Sequence, residues 1–128
     1  MFLAIDSSLG TSVAIISNNG EILVEKSSES PRGHAEFIGS LITDALVEAG
    51  DSESLEGVVV GVGPGPFTGL RVGMVAAKVF SLSRQIQLIP VISHDAIALG
   101  AGDAVVITDA KRGEIAYSVY QGKGIKNR

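Results

Sequence analysis

Gly57-Val58-Val59-Val60-Gly61-Val62-Gly63-Pro64-Gly65-Pro66-Phe67-Thr68-Gly69-Leu70-Arg71-Val72-Gly73 reads as a strand, a stiffened loop and the opening of a helix. Three consecutive valines in a continuous apolar run are the pattern of a strand covered on both faces, so 57–62 is expected near the centre of a sheet. The glycines after it let the backbone approach a neighbour closely, and the prolines stiffen the loop. Thr68 is a candidate N-cap for a helix over 68–84, with Gly69, Gly73, Ala76 and Ala77 as small residues along it.

Towards the N-terminus, Phe2–Asp6 and 11–17 are short runs rich in Val, Ile and Ala, joined by Ser7-Ser8-Leu9-Gly10 as in a hairpin. Asn18-Asn19-Gly20 supplies the positive-φ positions of a second tight turn into 21–26, completing a three-stranded antiparallel meander. A loop over 27–33 leads to Phe37, Ile38, Leu41, Ile42, Ala45, Leu46 and Ala49 at helical spacing, closed by Gly50 as a left-handed cap. Towards the C-terminus, 86–92 is expected as a strand, with Pro90 marking an edge or a strand end, and Ser93 as the cap of a short helix ending before Gly100. Strands over 104–108 and 115–120 follow, around Asp109-Ala110-Lys111-Arg112-Gly113, and the polar run 121–128 closes the chain. The order, three meander strands followed by alternating helices and strands, predicts an α/β domain whose later strands are parallel. It matches the order of the ribonuclease-H-like fold. Ile5-Asp6-Ser7-Ser8-Leu9-Gly10 and Thr108-Asp109-Ala110-Lys111-Arg112-Gly113 each place Asp at a strand end with Gly four residues later. This weak repeat suggests a first lobe over 1–101 and the beginning of a truncated second lobe over 102–128. The plain alternative is that two β-hairpins look alike.

The 128 residues are 45% hydrophobic, enough to fill a core, and only 5% aromatic without tryptophan, which disfavours a base-stacking RNA surface. Absence of cysteine removes disulfides, thiolate nucleophiles and thiolate zinc sites from consideration. Ten acids against two bases leave −8 on residues 1–56, and eight bases against four acids leave +4 on the rest. An acidic N-terminal half repels a phosphate backbone, so a protein partner is expected rather than direct nucleic-acid binding; a solvated acidic face would look the same. No basic leader precedes Asp6, and the longest apolar run, 70–82, is short and carries Arg71 and Lys78. A cytoplasmic protein without a membrane span is expected.

Asp6, Ser7 and Ser8 at a strand end could contact an anion or a nucleotide phosphate with hydrated Mg²⁺, or could be hairpin punctuation. Gly63, Gly65 and Thr68 could do the same at a helix N-terminus, or form a rigid structural loop. The loop lacks the Lys-Ser/Thr end of a P-loop and the glycine spacing of a dinucleotide fingerprint. His34 and His94 have no partner imidazole at metal-binding spacing, and no Gly-x-Ser-x-Gly elbow exists, so no catalytic or metal residue is expected. The two long helices carry more apolar surface than one sheet face needs to cover, which suggests helix-helix docking; ordinary core packing is the alternative.

Ala4-Ile5-Asp6-Ser7-Ser8, Gly33-His34-Ala35-Glu36, the Gly63–Gly73 loop block and Asp109-Ala110-Lys111-Arg112-Gly113-Glu114-Ile115, in that order, resemble the TsaB (YeaZ) family of bacterial proteins. Pro66 departs from that pattern, which has Ser between Gly65 and Phe67. The resemblance implies a two-lobed ribonuclease-H-like fold of the actin/heat-shock ATPase superfamily, longer than this chain. It implies a non-catalytic scaffold in making threonylcarbamoyladenosine in tRNA; the older family label of glycoprotease finds no support in the residue chemistry above. The implied partners are a TsaD-like transferase, a TsaE-like ATPase and a second copy through the same helices, with tRNA reached only through the complex. The helix residues assigned to that surface are Phe37, Ile38, Leu41, Ile42, Ala45, Leu70, Arg71, Met74, Val75 and Lys78. No cofactor is expected; ATP or ADP with Mg²⁺ at the complex interface is the alternative. The runner-up is a nucleotide-binding or phosphotransfer enzyme of the actin-like superfamily using Asp6 and the glycine loop.

Overall fold

The computed structural model describes residues 1–29, 34–50, 52–122 and 124–127, with residues 34–36, 52 and 124–127 described by their backbone alone. Strands β1 (Phe2–Asp6), β2 (Thr11–Ile16) and β3 (Ile22–Ser28) form the expected antiparallel meander. Helix α1 (His34–Ala49) follows and ends at Gly50 with φ +77°. The expected loop over 27–33 and the Gly33 of the motif lie partly outside the described residues, at 30–33. Strand β4 (Gly57–Gly61) inserts parallel to β1, and after α2 (Phe67–Arg84) strand β5 (Gln87–Val91) adds parallel to β4. The sheet order is β3-β2-β1-β4-β5. The valine strand is thus internal, and Pro90 sits on an edge strand where its missing N–H costs no ladder bond.

Helix α3 (Ser93–Ala98) leads to a second, antiparallel sheet of β6 (Ala104–Lys111), β7 (Glu114–Gln121) and β8 (Gly124–Asn127). Strand β8 corrects the expectation of a polar tail there: Gly124 to Asn127 pair with β7 through backbone bonds, which do not depend on apolar side chains.

Both long helices cover one face of the first sheet, α1 over β2 and β3, α2 over β1 and β4. Alternation along the strands sends Leu3, Ile5, Val13, Ile15, Val58 and Val60 to that face, where Ile38, Ile42 and Ala45 of α1 and Ala77 of α2 meet them. Each large aliphatic side chain buried there contributes about 1.5–3 kcal/mol.

Two expected caps are corrected. Helix α2 begins at Phe67 with Pro66 at the N-cap and no side-chain cap bond, so Thr68 lies inside the first turn. Proline's fixed φ suits a helix entrance. Ser93 is the first residue of α3 rather than its cap, and its hydroxyl is drawn instead to Asp6.

Candidate functional site

Helix α2 is built inside out. Its sheet-facing side is the stripe Gly69, Gly73, Ala77 and Ser81, and all four are buried. Gly73 lies over Ser7, whose Oγ donates to the Gly69 carbonyl at 2.7 Å and accepts the Gly73 N–H at 3.1 Å. A side chain at Gly73 would overlap Ser7. The small stripe brings the helix axis close to β1 and β4, and the large apolar residues are left on the opposite side. Phe67 is 72% exposed, Val75 59%, Val79 61% and Leu82 68%, with Met74 beside them. Arg71 and Lys78 are exposed on the same helix, and the Arg71 guanidinium stacks over the Phe67 ring at 5.0 Å. On α1, Phe37 is 40% exposed.

Of the residues assigned to a docking surface, Phe37, Arg71, Met74, Val75 and Lys78 are on the outside, and Leu41 and Leu70 are half-buried. Ile38, Ile42 and Ala45 are corrected: they are core residues packed against the sheet, with almost no surface to offer. Phe67, Val79 and Leu82 were not among the assigned residues, though the readable signal was the four-residue spacing of Gly69, Gly73, Ala77 and Ser81.

A concavity of about 1000 Å³ lies between the Ser7–Gly10 turn and the β6–β7 turn. Gly65 and the start of α2 through Gly69 also line it, so the positive end of that helix dipole faces the cleft. Lys111 and Arg112 enter it from a turn in which both have positive φ, 66° and 56°. The turn is held by Asp109, whose Oδ1 accepts the Lys111 N–H at 2.7 Å. That bond, with the Lys111 ammonium beside it, lowers the Asp109 carboxyl below its ordinary range.

Ser7, Ser8, Gly65 and Thr68 line this cleft; Asp6 and Gly63 do not. Asp6 points to the far face of the sheet. Its Oδ1 accepts the Ser8 N–H at 2.8 Å and the Ser8 hydroxyl at 2.5 Å, and its Oδ2 accepts the Ser93 hydroxyl at 2.7 Å. Gly61 leaves the room that this carboxylate occupies. Gly63 is buried, its carbonyl accepting the Ser93 N–H at 2.8 Å. Both Asp6 oxygens are thus engaged within the protein, Oδ1 by the turn that follows β1 and Oδ2 by Ser93 of α3. Among the described residues, no group of three acids or imidazoles is gathered at metal-binding distance.

His94 is buried completely, with Nδ1 2.8 Å from the Ser118 hydroxyl and Nε2 2.8 Å from the Thr108 hydroxyl. It joins α3 to β6 and β7. Among the described residues no helix is long and apolar enough to cross a membrane.

The family described as TsaD, tRNA N6-adenosine threonylcarbamoyltransferase, matches residues 21–126. An uncharacterized protein of Mycobacterium tuberculosis (strain H37Rv) is 38% identical over 122 residues, 92% of this chain and 58% of its own length. The tRNA N6-adenosine threonylcarbamoyltransferase of Streptococcus thermophilus is 40% identical over 106 residues, 70% of this chain and 32% of that enzyme. The chain therefore spans well under two thirds of the length of these relatives. Among solved structures, YeaZ from Pseudomonas aeruginosa superposes with a TM-score of 0.79 at 25% identity, covering 99% of this chain and 63% of that one. A ROK family protein from Streptococcus pneumoniae shares the fold at a TM-score of 0.51 and 15% identity, over 97% of this chain and 47% of that one. The fold is ribonuclease-H-like, of the actin-like type. The chain belongs to the family described as TsaD, tRNA N6-adenosine threonylcarbamoyltransferase, and within it to the TsaB (YeaZ) proteins.

Proposed function

We propose that this protein is a non-catalytic partner in tRNA threonylcarbamoyladenosine modification, docking on a TsaD-like transferase through the outer face of α1 and α2. The observation that carries the reading is the inverted helix α2, which buries small residues and leaves Val75, Val79 and Leu82 more than half exposed. Such a patch on a folded surface is ordinarily an interaction site. Arg71 and Lys78 beside it favour a partner face with an apolar centre and carboxylates at its rim. The same face suits a second copy of the chain, so a homodimer and the mixed complex compete for it. A TsaE-like ATPase would join that complex, and tRNA would reach the protein only through the transferase. Asp6, Ser7 and Ser8 have structural duties in this reading, which accords with a subunit that performs no chemistry of its own.

The sedimentation mass, taken alone and with the transferase, tests the reading. The expected result is a complex that Val75→Glu or Val79→Glu abolishes while the circular dichroism and melting of the chain are retained. A complex indifferent to both substitutions overturns it.

The runner-up, nucleotide binding, draws support from the cleft that brings Lys111, Arg112 and the start of α2 together. It now rests on those residues and Thr68 rather than on Asp6 and Gly63. Titration with ATP and Mg²⁺ is expected to show no saturable heat with the chain alone; saturable binding that Arg112→Glu weakens at least about tenfold, roughly 1.4 kcal/mol, would make it the leading reading.

A further inference from the structure

Helix α2 rests on the sheet through glycine and alanine, and such a stripe has little to grip with. Gly69, Gly73 and Ala77 offer no side chain long enough to lodge between those of the strands, so shape alone sets little of the helix's rotation. Turning the helix by one residue is a rotation of about 100°. It would swing Phe67, Arg71, Val75 and Val79 off the outer face together.

Directional bonds supply what shape does not. The Ser7 side chain is buried at the end of β1, and its hydroxyl meets the Gly69 carbonyl and the Gly73 N–H. These two groups are four residues apart, the two ends of one rung of the helix ladder. The Leu70 carbonyl lies 3.2 Å from the same oxygen, so three backbone groups of α2 converge on one hydroxyl. Pro66 enters the helix without a side-chain cap bond, and the first turn is tied from the sheet side instead. On the outer side of that turn stand Phe67 and Arg71, stacked on one another. An aromatic ring and an arginine are the residue types on which docking energy concentrates, and they contribute most when held in the bound orientation beforehand.

We propose that Ser7 is a positioning residue of the docking face: by holding the Gly69–Gly73 rung it fixes the direction in which Phe67 and Arg71 meet the partner, without touching the partner itself. This inference rests on the docking reading above. It adds to the exposed residues a buried one, which acts through the backbone of α2.

Titration calorimetry of the chain with the TsaD-like transferase of the same organism tests it. Ser7→Ala removes the tie but leaves the Gly73 N–H free to close on the Gly69 carbonyl, so the helix and the fold are retained. The expected result is a dissociation constant raised at least about tenfold, measured well below the melting temperature of the variant. Phe67→Ala should weaken binding as well, and the double variant should bind within about twofold of Phe67→Ala alone, because both changes remove the same oriented contact. Should Ser7→Ala fail to fold, Gly73→Ala displaces the same hydroxyl from the helix side and is read in the same way. Binding unchanged by the loss of the tie, in a chain whose complex Val79→Glu still abolishes, overturns the positioning role and leaves the docking face standing. Losses that simply add in the double variant overturn it too, since Ser7 would then act elsewhere than at the first turn. A complex that survives Val79→Glu removes the docking reading and this inference with it.

Discussion

At the scale of single residues, two contacts set the geometry of the candidate sites. Gly73 is required because the Ser7 hydroxyl occupies the space of its missing side chain while bonding to the helix backbone. Gly73→Ala must push α2 off β1 or break those bonds, and about 2 kcal/mol of stability should be lost, read by urea unfolding. A cap on α2 is a poor guide by comparison, since Pro66 enters the helix without a side-chain bond. The Asp109 turn carries a pH dependence whose sign follows from its lowered carboxyl. A depressed carboxylate contributes stability above its ordinary range and loses it as the pH falls through the folded value. The Lys111 amide should therefore lose protection, measured against its intrinsic exchange rate, in acid and regain it near neutrality. Exchange that is unchanged between these conditions, after correction for intrinsic rates, would remove Asp109 as the anchor of the turn.

At the scale of elements, the two long helices differ in what they give the core. Helix α1 is conventionally amphipathic, burying Ile38, Ile42 and Ala45, and Ile42→Ala should cost about 2–4 kcal/mol of stability whether or not a partner is present. Helix α2 contributes closeness rather than bulk, so Val79→Glu on its outer side should cost under about 0.5 kcal/mol in the isolated chain and still remove association. A denaturant midpoint measured beside a sedimentation mass separates the two kinds of residue. The apolar spacing of α1 made it readable as a helix, yet Ile38, Ile42 and Ala45 could be assigned to either side. Only the sheet beneath them decided. In α2, apolar residues run nearly all round, and the buried direction follows from where Gly and Ala permit approach to β1. The meander and the valine strand were legible because tight turns and a double-faced apolar run are local signals; β8 was not, because its pairing resides in the backbone.

At the scale of the whole molecule, the two sheets meet through α3 and the buried His94, whose ring nitrogens face hydroxyls on β6 and β7. His94→Ala removes a filled volume and two of the bonds made by Thr108 and Ser118, and about 3 kcal/mol of stability should go with them. Hydrogen exchange should show the greater loss of protection in β6 and β7 rather than in β1 and β4. Uniform loss in both sheets would mean that they unfold as one unit. This junction also positions Lys111 and Arg112 over the cleft, opposite the start of α2.

The amino-acid sequence by itself determined the order of elements, the meander, the helices and the family motifs, because turn chemistry and apolar periodicity act between near neighbours in the chain. The tertiary structure alone decided that Asp6 is bonded to Ser8 and Ser93 and that α2 turns its large residues outward. Those outcomes depend on Asp6 and Ser93, or Ser7 and Gly73, meeting across more than sixty residues of chain. No local spacing encodes such a meeting; close packing of the sheet against α2 and α3 creates it.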